Sequence, residues 1–275
     1  MTNSPKVEDH DRHSSPSTDS TKPNLKMVLG SHYFPKYNLK KPFGEDAHFI
    51  CPEKQTLGVA DGVGAWAKKG IDGGEYARQL MANSLAAVHN QPTGAVDPKR
   101  VLTEGYLNTK EQGSSTACIL TLKTQEHLLL ATNMGDSGFF LFRNNKLFFR
   151  SSVMQHSYNC PYQLKYDSKS DSPELAIDLT IPVMPGDFIV VGTDGLFDNL
   201  WPKEIEDILE WATTKLESVE PQHLAWTIGR VAYYNSSNKQ KVSPFAEAAR
   251  VAGRIHVGGK IDDITVVVAH IVSSS

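Results

Sequence analysis

The stretch His127-Leu-Leu-Leu-Ala-Thr-Asn-Met-Gly-Asp136-Ser-Gly-Phe-Phe-Leu-Phe142-Arg-Asn-Asn-Lys146-Leu-Phe-Phe-Arg150 sets short apolar runs between glycine, aspartate and asparagine. Runs of this length, rich in leucine and phenylalanine and bounded by turn residues, read as strands rather than helices. His127 to Asn133, Gly138 to Phe142 and Lys146 to Arg150 are therefore read as three successive strands. Asn144-Asn145 fills a two-residue connection, and asparagine tolerates the positive φ that such hairpin turns require. With Thr116 to Leu122 just upstream, the segment predicts a meander of antiparallel strands.

Working outward, Leu57 to Ala60, Phe188 to Thr193 and Ile264 to Val272 carry the same strand pattern. Helical spacing appears in Glu75 to His89, where Tyr76, Leu80, Ser84 and Val88 fall on one side. Pro98 and Pro202 open two more helices, the first running towards Lys110, because the fixed φ of proline suits a first helical turn. Two further helices are expected near Gln222 to Tyr233 and Pro244 to Ala252. Strands group in the middle and helices at the sides, without the alternation of βαβ units. The predicted class is α+β, two packed antiparallel β-sheets flanked by helices, in one domain over residues 27–275. Residues 1–26 are rich in Ser, Thr, Asp, Pro and Lys, and a disordered tail is expected there. Ser4-Pro5 and Ser15-Pro16 have the form of kinase sites, a pairing that also arises by chance.

Bulk properties exclude several functions. A net charge of −3 without a basic stripe argues against nucleic-acid binding by phosphate neutralisation. The longest apolar runs fall far short of the ~20 residues of a membrane span, so no membrane association is expected. Cys51, Cys118 and Cys160 have no CxxC spacing and fit free thiols in a reducing compartment. The N-terminus has no apolar signal core and carries Glu8, Asp9 and Asp11, which makes a cytoplasmic or nuclear monomer the expectation.

The chemistry is concentrated at strand ends. Apolar runs finish or begin at Asp61-Gly62, Gly135-Asp136, Asp194-Gly195 and Asp262-Asp263, and Glu45-Asp46 precedes them all. An isolated Asp-Gly pair is ordinarily a turn. Several carboxylates at the mouths of buried strands are a different matter, since each is poorly hydrated and repelled by its neighbours unless a cation neutralises it. Oxygen donors of this kind suit Mg²⁺ or Mn²⁺. Two such ions ~3.5–4 Å apart can share a bridging water and clamp a phosphoryl oxygen.

Order and flanking residues now become informative. Gly44-Glu-Asp-Ala47, Val59-Ala-Asp-Gly-Val-Gly64, Gly113-Ser-Ser-Thr-Ala117, Asn133-Met-Gly-Asp-Ser137, Gly192-Thr-Asp-Gly-Leu-Phe-Asp198 and Ile261-Asp-Asp-Ile-Thr-Val266 resemble the motifs of PP2C-type serine/threonine protein phosphatases. Val59 to Trp66, with Gln155-His156 and Asn159 to Gln163, is similar to the PTC7-like subgroup, some of whose members are organellar. The resemblance implies an αββα four-layer sandwich and hydrolysis of phosphoserine or phosphothreonine by direct attack of a water bridging two Mn²⁺ or Mg²⁺ ions. It implies Asp61 as bridging ligand, the Gly62 carbonyl and Glu45 as further ligands, and Asp46 as support. Asp194 and Asp262 would complete the first ion's shell, and Asp136 with Asp194 would supply a weaker third site.

The chain also departs from the family pattern. Val63 stands where the family has a histidine proposed as general acid, leaving His156 as the candidate substitute. Lys41 or Lys40 stands in for the usual phosphate-gripping arginine, and Asp263 replaces the common asparagine. Asp198 reads as turn or cap chemistry. Alternatives from other classes are a non-catalytic protein-binding module of the same fold and a phosphatase of small metabolites.

Overall fold

The computed structural model describes residues 23–39, 41–166 and 171–274. Most of the expected tail, with both Ser-Pro pairs, and Lys40 lie outside the described residues. In chain order the strands are β1 (Leu25–Phe34), β2 (Asp46–Cys51), β3 (Thr56–Asp61), β4 (Ser114–Ser115), β5 (Ala117–Lys123), β6 (Leu128–Met134) and β7 (Gly138–Arg143). They continue as β8 (Lys146–Arg150), β9 (Gln155–Ser157), β10 (Cys160–Pro161), β11 (Leu164–Lys165), β12 (Ile177–Pro182), β13 (Phe188–Gly192) and β14 (Ile264–Ser273). The helices are α1 (Gly73–His89), α2 (Pro98–Asn108), α3 (Asp194–Phe197), α4 (Pro202–Lys215), α5 (Pro221–Ser237) and α6 (Pro244–Val251).

Two five-stranded sheets, ordered β1-β14-β13-β7-β8 and β12-β6-β5-β3-β2, carry the fold, and their pairings are antiparallel. Leu57, Val59, Leu120 and Leu129 from one sheet pack against Met27, Phe139, Ile189 and Val267 from the other. Residues between them on the same strands face outward: Ala117 and Ile119 join the core beneath α1 and α2. Phe188 and Val190 join the core beneath α4 and α5. Burial on both faces explains why these strands read as continuous apolar runs instead of alternating ones. The expected four-layer α+β sandwich is the fold observed.

β1 begins at Leu25, two residues before the expected boundary at Met27. Leu25 is only 1% exposed, and its amide donates to the Thr124 carbonyl at 2.9 Å, so it belongs to the sheet and not to the tail. The strand was hard to read because Gly30, Ser31 and His32 interrupt its apolar run. Gly30 is required there by packing: a β-carbon would lie 2.2 Å from the backbone nitrogen of Gln222 in α5. β2 and β12 are likewise strands without a clear apolar signal.

Antiparallel pairing decides where the aspartates meet. Asp46 at the start of β2 is registered opposite Asp61 at the end of β3. The start of β5 adjoins that end, with the Thr116 amide donating to the Asp61 carbonyl at 3.0 Å, and β5 in turn starts beside the end of β6. In the second sheet the end of β13 lies beside the starts of β7 and β14. One end of the sandwich therefore collects Asp46, Asp61, Asp136, Asp194 and Asp262.

Leu120 lies fully buried between the sheets. Leu120→Ala is expected to cost about 2–5 kcal/mol in chemical denaturation without changing the denaturant slope.

Candidate metal centre

Asp61, Gly62, Asp136, Asp194 and Asp262 line one cleft together with Lys36, Val63, Thr116, Asn159 and Lys260. A second lobe shares Asp136, Asn159 and Asp194 and adds Arg150, Tyr158, Asp198 and Phe245. Glu45 is 3% exposed, and its carbonyl accepts from the Gly62 amide at 3.0 Å. The structure thus brings together Glu45, Asp61, Gly62, Asp136, Asp194 and Asp262.

Asp46 binds the sheets to each other. Its Oδ2 accepts from the hydroxyls of Thr193 and Thr265, each at 2.8 Å, so a β2 carboxylate is tied to the ends of β13 and β14. Asp263 anchors the approach loop: its carboxylate accepts from the amide of Glu45 at 3.1 Å, the amide of Lys36 at 2.9 Å and the hydroxyl of Tyr33 at 3.0 Å. The Lys36 ammonium lies 3.2 Å from it, which gives a carboxylate at this position a counter-charge. Gly195 admits no side chain, because a β-carbon would meet the Asp263 carbonyl at 2.0 Å.

The electrostatics are those of crowded acid groups. Burial, then Asp194, Asp46 and Asp262, push the Asp61 carboxyl well above its usual range. Burial and Asp194 raise Asp136 and Asp262 in the same way. Burial pushes Asp198 up to about 7 against the opposing pull of Lys260. Burial is also the largest influence on Asp194, but Lys260, a hydrogen bond with Asp61 and the charge of Lys36 together hold this carboxyl below the ordinary aspartate value. Asp46 Oδ1, Asp136 Oδ1 and Asp194 Oδ1 are buried with no hydrogen-bond partner among the described residues. Buried carboxylate oxygens left bare beside like charges are hard donors suited to a divalent cation. The residues present fit Mn²⁺ or Mg²⁺.

Two expectations are revised and a third is extended. His156 lies outside the cleft: its Nε2 is 3.1 Å from Asp171 Oδ2 and its ring stacks on Tyr162 at 3.9 Å. Strand alternation along β9 is the reason, since Gln155 lines the cleft and the next side chain turns away. Lys41 is occupied by Glu45 at 2.5 Å and Asp72 at 3.4 Å, whereas Lys36 enters the cleft and contacts Glu45 at 3.0 Å and Asp262 at 3.1 Å. Asp198 does sit in a turn, as the C-terminal cap of α3 rather than a cap for α4, whose N-cap is Trp201; what the sequence did not show is that its carboxylate faces Lys260 at 2.8 Å beside the second lobe. Lys36 and Lys260 were missed by sequence reasoning, although Lys260 stands two residues before Asp262.

Fold and site together define a four-layer sandwich whose open end holds an oxygen-donor centre suited to divalent cations. No protein-family profile matches the chain. It is 48% identical over 254 residues to "Probable protein phosphatase 2C 55" of Arabidopsis thaliana, covering 92% of this chain and 53% of that protein. It is 35% identical over 267 residues to "Protein phosphatase PTC7 homolog fig" of Drosophila virilis, covering 89% of this chain and 85% of that protein. Among solved structures, the photosystem II phosphatase PBCP superposes with a TM-score of 0.81 at 28% identity, over 89% of this chain and 98% of that one. The catalytic domain of the phosphatase PstP, solved with two manganese ions, shares the fold with a TM-score of 0.63 at 16% identity, over 90% of this chain and 100% of that one. The chain belongs to the protein phosphatase 2C family, among the relatives of the PTC7 phosphatases. It spans 53% and 62% of two Arabidopsis relatives' own lengths.

Asp61→Asn removes a charge repelled by three neighbours. In EDTA the variant is expected to melt higher than the native protein, by roughly 2–4 °C for each kcal/mol of repulsion relieved, while losing affinity for Mn²⁺. The pH dependence has a definite sign. A carboxyl raised in the folded state binds more protons there than when unfolded, so its contribution is present below the unfolded value and is lost as pH rises through the folded one. For Asp198 that window runs from 3.8 to about 7. Asp194 acts oppositely, below 3.8, and the raised lysines act only above 10.5. His48 and His270, lowered by burial, act oppositely below 6.5, so the test is differential: between about pH 4 and about pH 7 the metal-free native protein should lose more stability, or gain less, than Asp198→Asn in parallel thermal melts.

Proposed function

We propose that this chain is a metal-dependent phosphatase that hydrolyses phosphoserine and phosphothreonine in proteins. The observation that carries the reading is the convergence of Asp61, Asp136, Asp194 and Asp262 on one cleft, with buried oxygens of Asp136 and Asp194 left unpartnered. The names of its phosphatase relatives, and the manganese described for PstP, support the same assignment. Asp61, Asp194 and Asp262 are read as the principal ligands of Mn²⁺ or Mg²⁺, with the Gly62 carbonyl and Glu45 completing the set; Asp136 lines the adjoining lobe, where a weaker third ion would otherwise sit. Divalent cations held there supply Lewis acidity for water activation and neutralise charge on the phosphoryl oxygens.

The rest of the chemistry belongs to the protein's own groups. Lys36 is better placed for the phosphate than Lys41, since it lines the cleft and Lys41 does not. Val63 lines the same cleft and offers no proton. Departure of the serine alkoxide must therefore draw its proton from water or from a donor such as Tyr158, whose hydroxyl is buried without a partner in the adjoining lobe. The non-catalytic module is the weaker reading, because every carboxylate of the motif set is present and assembled. Among the described residues no helix is long and apolar enough to cross a membrane. A reducing compartment, cytoplasmic or nuclear with a mitochondrion or plastid as the alternative, remains our reading, supported by three unpaired cysteines, and the absence of a basic stripe supports a reading without nucleic acid.

Purified protein is expected to hydrolyse a phosphothreonine peptide with Mn²⁺ and to lose activity in EDTA. Asp61→Ala and Asp194→Ala should each lower kcat by about a hundredfold or more. Turnover that survives EDTA or either substitution overturns the reading. Loss of a general acid costs about 10²–10⁴ in rate. His156→Ala, by contrast, is expected to change kcat by no more than about twofold, as its ring points away from the cleft.

A further inference from the structure

Lys260 is held more firmly than a solvated lysine. Its backbone is clamped on both sides by Asn199, whose Oδ1 accepts from the Lys260 amide at 2.9 Å and whose Nδ2 donates to the Lys260 carbonyl at 2.8 Å. Asn199 is itself fully buried, and the same Nδ2 also donates to the Gly195 carbonyl at 2.9 Å. The side chain runs past the Phe245 ring, with its nitrogen 5.1 Å from the centroid. Its ammonium then contacts Asp194 Oδ2, lies 2.8 Å from Asp198 Oδ2 and lies 3.2 Å from Asp262 Oδ2. Only 16% of the side chain is exposed.

This is the geometry of a cation in a carboxylate cage. Asp136, Asp194 and Asp198 line one lobe, a set of three acidic groups that would otherwise attract a divalent ion, and Lys260, which lines the main cleft, reaches two of them from its edge. The ammonium occupies Asp194 Oδ2 and Asp198 Oδ2 and repels a second cation brought to them, while Asp194 Oδ1, which has no hydrogen-bond partner among the described residues, stays open to the rest of the site. Being tethered, it needs no free ion to fill the place.

Building on the phosphatase reading above, we propose that Lys260 is a resident cation that takes the place of a third divalent ion in the Asp136–Asp194–Asp198 lobe. This chain then holds two ions where its carboxylates would accept three. Asp198, set aside from the sequence as turn chemistry, becomes the partner that fixes the ammonium.

The test is Mn²⁺ titration of the full chain by calorimetry, with native protein, Lys260→Met, Lys260→Gln, Asp198→Asn and the Lys260→Met/Asp198→Asn double variant. Native protein should bind roughly two ions per chain, as expected for a two-metal site. Lys260→Met should gain a further ion, or tighten its weakest site by about tenfold or more. Lys260→Gln should show the same gain and covers the case in which the methionine variant fails to fold. Asp198→Asn alone should leave the count unchanged, and the double variant should lose the gain. An unchanged count and affinity in both lysine variants, with Mn²⁺-dependent hydrolysis intact, overturns the proposal alone. A gain that persists in the double variant overturns it as well. Absence of Mn²⁺ binding by every variant overturns the phosphatase reading and the proposal together.

Discussion

Mutual repulsion among buried carboxylates is the constraint on which the open end of this sandwich depends. Asp61, Asp136, Asp194, Asp198 and Asp262 share one cleft, and Glu45, Asp46 and Asp263 stand immediately behind it. In a low-dielectric setting such charges would push apart the strand ends that carry them. Each neighbouring feature counters that push by a different means. Threonine hydroxyls solvate Asp46, backbone amides and Tyr33 solvate Asp263, and Lys36 and Lys260 bring opposite charge to the remainder. What these groups leave uncompensated is what a divalent cation would neutralise.

Antiparallel topology is what makes such crowding attainable. Aspartates separated by long stretches of sequence meet because β2, β3, β5, β6, β7, β13 and β14 each start or stop at the same end. Of the helices, α3 and α6 reach the cleft, through Asp194 and Phe245, whereas α1, α2, α4 and α5 do not line it. They seal the outer faces of both sheets, so central strands such as β13 can be apolar on both sides. Stability resides in the middle of the molecule and chemistry at its rim.

Much of this was legible in the sequence. The strand-end aspartates announce themselves because an acid group breaking a run such as Phe188 to Val191 has no packing reason to be there. The helices opened by Pro98, Pro202 and Pro244 were readable from proline's place in a first turn. The positive partners were not. Lys36 and Lys260 lie in irregular segments where a lysine looks like any solvated lysine, and nothing local distinguishes Lys36 from Lys41. Only the fold brings Lys36 to Asp262, more than two hundred residues away, at 3.1 Å. His156 misled for the converse reason: a histidine in a loop near the site attracts attention, whereas the facing of a side chain depends on one step of strand register. β1 and β2 escaped notice because glycine, serine and histidine dilute their apolar pattern.

The Asp46 bridge has a mechanical consequence. A β2 carboxylate gripped by hydroxyls from the β13 and β14 ends couples the two layers like a rivet at the mouth of the cleft. Relative sliding of the sheets would break two buried hydrogen bonds at once, so this rim behaves as a stiff frame. Compliance is left to the opposite wall. There the β9–β10 hairpin, whose residues are largely exposed, bears Tyr158 and Asn159 on its turn. Partners of different shape would be accommodated by that hairpin moving against a fixed acidic floor.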